Sequence, residues 1–161
     1  MDQPKPGALK LRLSIMMFLQ FFIWGCFFVP LGTYLSTLFA GKADLGGIIG
    51  STYSTHNWAG LIAPLFVGLV ADRFFNAERV NGILQLLGGA ILWYCTTIGA
   101  NAGSLFVGLL AYFFCYMPTL ALVNTITFNS VENGERDFPP IRLWGTIGWI
   151  VARLVVSQNI F

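Results

Sequence analysis

Arg142, Thr146 and Trp149 follow one another at the i, i+4, i+7 spacing of a single helical stripe, and Arg153 continues it at about 100° per residue. A guanidinium fork, a hydroxyl and an indole on one face suit a ligand with a flat ring to stack and polar edges that accept hydrogen bonds. Gly145, Gly148 and Ala152 line the adjacent stripe, where small residues let another helix come close. Gln20 and Trp24 form an i, i+4 pair that either faces a cavity together or bonds to a neighbouring helix. His56, the sole histidine, carries an imidazole that could shuttle protons near neutral pH; a packing role is the alternative. Thr119, Asn124 and Thr125 read as interhelical ties, or as compensation for the carbonyl that Pro118 leaves free, with substrate contact as the other reading.

Catalytic chemistry finds no inventory. A single histidine excludes a multi-His metal centre, and the sequence contains neither a G-x-S-x-G elbow nor a G-x-x-x-x-G-K phosphate loop. The chain is therefore expected to be no enzyme and to need no metal or cofactor. Charged residues make up 10% of it and hydrophobic ones 56%, against about 25% charged in an ordinary soluble domain. Nine Lys and Arg against seven Asp and Glu give no basic excess for a nucleic-acid partner. Cys26, Cys95 and Cys115 are odd in number, sit in apolar stretches and read as small hydrophobes rather than a disulfide framework. Such a chain belongs in a lipid bilayer.

Five apolar runs are long enough to cross about 30 Å of hydrocarbon as helices. They cover residues 13–40, 46–71, 80–100, 104–128 and 141–161, a single membrane domain over 1–161. Continuous apolar character, without alternation, favours helices over barrel strands. The fold class expected is all-α and integral to the membrane. Lys5, Lys10, Arg12, Arg73, Arg79 and Arg136 fall on one side and Lys42 on the other, which places the N-terminus in the cytoplasm. Arg142 stands only about one turn into the membrane, after an expected Asp137 cap and Pro139-Pro140 in the first turn; snorkelling to the interface is its alternative role. Arg153 lies deeper, where a charge costs on the order of 3 kcal/mol without a partner or an aqueous cavity. None of the five runs contains a carboxylate.

The segment after the second run reads Gly68-Leu-Val-Ala-Asp72-Arg73-Phe-Phe-Asn-Ala-Glu-Arg79. It resembles the G-x-x-x-D-R-x-x-x-x-R signature of the major facilitator superfamily, although Phe75 and Asn76 depart from its usual residues. That resemblance implies a cytoplasmic gate built on Gly68, Asp72, Arg73 and Arg79; a solvated loop with positive-inside charges is the plainer reading. Three further blocks are Phe18-Leu-Gln-Phe-Phe-Ile-Trp-Gly25, Tyr116-Met-Pro-Thr-Leu120 and Asp137-Phe-Pro-Pro-Ile-Arg142-Leu-Trp-Gly-Thr-Ile-Gly148. In this order they resemble the bacterial nucleoside:proton symporters of the superfamily, from the first run to about Gly148.

The resemblance implies twelve helices in two six-helix halves around a central cavity, with proton-coupled nucleoside uptake across the bacterial inner membrane. It implies that Arg142, Thr146 and Trp149 line the nucleoside site. The base would stack on the indole while the ribose and base edges take hydrogen bonds. Five runs then correspond to an N-terminal portion ending before a sixth helix, whose partner would be the missing C-terminal half of the transporter. Two alternatives stay open: a superfamily transporter of a sugar or other small polar metabolite, and a non-transporting membrane accessory subunit.

Overall fold

The computed structural model describes the backbone of residues 6–71 and 76–160, and side-chain surroundings over 7–63 and 76–158. Five α-helices account for the described secondary structure: α1 (Pro6–Leu38), α2 (Leu45–Ala71), α3 (Ala77–Cys95), α4 (Ala102–Ser130) and α5 (Gly134–Ile160). Each corresponds to one of the apolar runs, and the differences in extent have local causes. The fifth helix begins well before residue 141 because Asn133, not Asp137, caps it. The Asn133 Oδ1 accepts from the Arg136 amide at 3.0 Å, and the Asn133 carbonyl from the Asp137 amide at 2.8 Å. Asn101 caps α4 in the same way, its Oδ1 accepting from the Ser104 amide at 3.0 Å.

The third helix stops at Cys95, short of Ala100. The Thr96 and Thr97 hydroxyls donate back to the Trp93 and Tyr94 carbonyls, both at 2.7 Å. Gly99 then turns the chain at φ +65°, a conformation that favours glycine; Gly41 does the same between α1 and α2 at φ +82°. Among the described residues, Gly7–Leu38 and Ala102–Ser130 are long and apolar enough to cross a membrane. The 33 residues of α1 extend about 50 Å, more than the hydrocarbon thickness.

The chain divides into two units. One joins α1 up to Gly32 with the part of α4 from Val123 onward and α5; the other spans Thr33–Leu122. In the first unit α1 and α5 approach to backbone contact. A Cβ on Gly148 would collide with the Phe18 carbonyl oxygen, one on Gly25 would lie 2.7 Å from the Ala152 Cβ, and one on Gly145 would lie 2.7 Å from the Phe21 ring. Three missing side chains thus replace a side-chain layer, and the helices pack through dispersion over a close seam. Leu13, Met17 and Phe21 of α1 and Ile141 and Ala152 of α5 are buried. Lys10 Nζ pairs with Asp137 Oδ1 at 2.7 Å, tying the start of α1 to the first turns of α5.

The second unit packs α2, α3 and α4 around Phe113, Leu109 and Ala59, all at most 1% exposed. Gly88 leaves room for Tyr112 and Cys115 of α4, and the Gln85 Nε2 of α3 donates to the Thr119 Oγ1 at 3.3 Å. The three cysteines are free thiols.

The seam predicts a contrast between two glycines. Gly148→Ala forces α1 and α5 apart and destabilises by about 1–3 kcal/mol. Gly89, with nothing within 4 Å of its would-be Cβ, accepts alanine with no loss, because alanine is the better helix former by about 1 kcal/mol. Thermal midpoints of the purified variants in detergent measure both, and a Gly148→Ala midpoint equal to that of Gly89→Ala contradicts the seam.

Candidate functional site

The stripe on α5 faces α1 across a cavity of about 290 Å³ lined by Phe21, Trp24, Arg142, Thr146 and Trp149. A neighbouring cavity of about 460 Å³ shares Arg142 and Thr146 and adds Phe138, Pro139 and Leu143. Helix periodicity accounts for the arrangement: positions 142, 146 and 149 lie on one face of α5, while 21 and 24 lie three apart on the opposing face of α1. Both helices are continuous here, so the site stands on rigid elements rather than loops.

Aromatic rings form most of the wall. Trp24 meets Trp149 edge to face, with ring centroids 5.0 Å apart and planes at 75°. Trp24 also touches Phe21 at 6.0 Å and Phe28 at 6.1 Å, so its ring is held from both directions along α1. The Arg142 guanidinium carbon lies 4.1 Å from the centroid of Phe21. That distance is a cation–π contact. Thr146 is exposed to the cavity side, and Arg142 and Trp149 are half-buried. The assembled groups offer a positive donor fork, a hydroxyl and an indole ring, all converging on one opening.

The other residues singled out from sequence distribute differently. Gln20, next to Phe21, is 4% exposed and is not among the residues lining the cavity, whereas its i+4 companion Trp24 is. Arg153 is exposed, one turn beyond Trp149. His56 belongs to the other unit. Its Nδ1 lies 3.1 Å from the Asn57 Oδ1, and its ring packs edge to face on Phe113 at 5.4 Å. Thr119 is fully buried, donates to the Tyr116 carbonyl at 2.5 Å and accepts from Gln85, an interhelical tie. Thr125 is exposed.

Of the gate motif, Asp72 and Arg73 lie outside the described residues, as do the surroundings of Gly68. Arg79 is exposed in the first turn of α3, where its amide donates to the Asn76 carbonyl at 3.0 Å. Among the described residues no three His, Cys, Asp or Glu side chains cluster as metal ligands. Sequence reasoning missed Phe21 as a wall of the site. One signal was available: Phe21 stands four residues before Gly25, on the face of α1 that the small residues of α5 approach.

The profile of the nucleoside H+ symporter family matches residues 8–161. A putative nucleoside transporter of Escherichia coli (strain K12), YegT, is 44% identical over 143 residues, covering 89% of this chain and 32% of the relative. The nucleoside permease NupG of the same organism is 40% identical over 157 residues, covering 95% of this chain and 37% of the permease. Its xanthosine permease is 35% identical over 155 residues. A crystal structure of a mutant of the nucleoside transporter NupG superimposes with a TM-score of 0.87 at 38% identity, over 95% of this chain and 38% of that one. The chain therefore spans about a third of the length of these relatives. It belongs to the nucleoside H+ symporter family, whose members are multi-pass membrane transporters.

Proposed function

We propose that these helices belong to a proton-coupled nucleoside transporter and contribute one wall of its substrate site. The observation that carries this reading is the convergence of Arg142, Thr146 and Trp149 with Phe21 and Trp24 on one cavity. At about 290 Å³ it lies near the lower end of small-ligand pockets, which run from about 300 to 1,000 Å³. The base stacks on Trp149, and the acceptors of the base edge or ribose take donors from Arg142 and Thr146. The names of the relatives, two nucleoside transporters and a xanthosine permease, favour a nucleoside over a sugar.

Uptake follows from rocking of two transporter halves about a central site, with the rest of the cavity supplied by chain matching the remainder of the relatives. Lys5, Lys10 and Arg12 around the start of α1, with Arg73 and Arg79 ahead of the third apolar run and Arg136 ahead of the fifth, orient the N-terminus to the cytoplasm of a bacterial inner membrane. Asp72, Arg73 and Arg79, with Gly68 one turn earlier, then stand on the cytoplasmic side as a gate. His56, half-buried in the other unit, is a weaker candidate for carrying the coupled proton.

Two experiments test this assignment in an intact transporter containing these helices. Calorimetric titration with uridine and adenosine in detergent reads the site. Arg142→Lys keeps the charge but loses the planar fork, so it fails to restore affinity. Trp149→Phe retains a ring and loses less than Trp149→Ala. Thr146→Val costs about 0.5–1.5 kcal/mol, the worth of one neutral hydrogen bond. Wild-type affinity for Arg142→Lys would move the site away from α5.

The gate is read by transport. Asp72→Asn slows turnover by a larger factor than it weakens nucleoside binding, while Asn76→Ala changes neither. Equal effects from the two substitutions support the solvated-loop reading.

A further inference from the structure

Arg142 is held in an unusual way for a cation inside a membrane protein. Among the described residues no carboxylate pairs with it; the ion pair found there joins Lys10 to Asp137 instead. The group that meets its guanidinium is the ring of Phe21, 4.1 Å from centroid to carbon, and Phe21 itself is only 8% exposed. The space for that contact comes from Gly145. A Cβ there would lie 2.7 Å from the Arg142 Nη1 and 2.7 Å from the Phe21 Cδ2, in the slot between ring and helix. Ring, guanidinium and missing side chain fit together at one point of the wall.

The chemistry of the holder decides what remains for a ligand. A carboxylate would orient the guanidinium by accepting two of its five N–H donors and neutralising its charge. An aromatic face attracts the cation through its quadrupole and accepts none of the in-plane N–H bonds in the usual sense. We propose that Phe21 and Gly145 are positioning residues for Arg142: together they fix the guanidinium at the cavity while leaving its donor fork open for the nucleoside. The inference rests on the assignment of Arg142 to the substrate site and adds the means by which it is aimed. Phe21 acts through Arg142, and its ring needs no contact with substrate.

Graded fluorination of the ring tests this without altering packing. Mono-, di- and trifluorophenylalanine placed at position 21 of the intact transporter keep the ring size and weaken its quadrupole in steps. Uridine and adenosine affinity by calorimetry is expected to fall stepwise, reaching about fivefold to thirtyfold for the trifluoro ring, with the thermal midpoint unchanged. Phe21→Tyr stays close to wild type and Phe21→Leu falls with the trifluoro variant. Gly145→Ala, which closes the slot from the other side, lowers affinity by a similar factor. Affinity independent of fluorination overturns the proposal, whatever Phe21→Leu does. An Arg142→Gln control separates the two readings. Unchanged affinity there removes Arg142 from the substrate site, and the proposal with it; a loss there combined with a flat fluorination series removes only the positioning role.

Discussion

The contact between α1 and α5 depends on three positions that lack a side chain. Gly25 and Gly148 bring one helix backbone against the other, Gly145 leaves room for the Phe21 ring, and everything else at the site takes its distance from that seam. With a side-chain layer between the helices, Trp24 and Trp149 could not meet at 5.0 Å, nor could Phe21 reach the guanidinium of Arg142. In a bilayer, where lipid tails are as apolar as leucine, close backbone approach is one of the few sources of helix–helix affinity. The same seam that holds the pair together therefore shapes the wall of the cavity.

The seam also explains why a charge is tolerated on α5. Burying a cation in an apolar setting is costly unless something compensates for its lost hydration. The Phe21 ring does so on one side of Arg142, and the cavity does so on the other. At the end of the same two helices the compensation is of the ordinary kind, Lys10 against Asp137 at 2.7 Å with the lysine half-exposed. One interface thus contains two solutions to the charge problem. The exposed one is worth little, up to about 1 kcal/mol; the one at the cavity leaves its charge available.

Much of the fold is legible in the sequence because hydrophobic length is a direct signature of membrane helices. The five apolar runs each correspond to a helix, and the 142, 146, 149 spacing already placed three side chains on one face. Helix ends were less legible. Asn101 and Asn133 cap α4 and α5, yet a capping asparagine looks like any loop asparagine until the amides three residues on are seen to point at it. The α1 side of the site was harder still. Phe21 is one of 15 phenylalanines, most of which have no distinguishing neighbour in sequence. Its role comes from a residue 121 positions later, and pairings of that kind are set by tertiary packing, which local periodicity does not encode. Gln20, the polar neighbour of Phe21, is 4% exposed and is not among the residues lining the cavity.

The hydroxyl groups of α2 and α4 carry a mechanical consequence. Thr52 and Thr55 on α2 and Thr127 on α4 spend their donors on carbonyls of their own helices, at 2.6 to 2.7 Å. Four residues that look adhesive in sequence, Ser51 among them, are thereby turned inward on their own backbone. With the donor spent, each keeps only its oxygen lone pairs for a neighbour, as Thr119 does when it accepts from Gln85 while donating to the Tyr116 carbonyl. A neighbour sliding along such a surface is held only where it brings a donor opposite one of these oxygens.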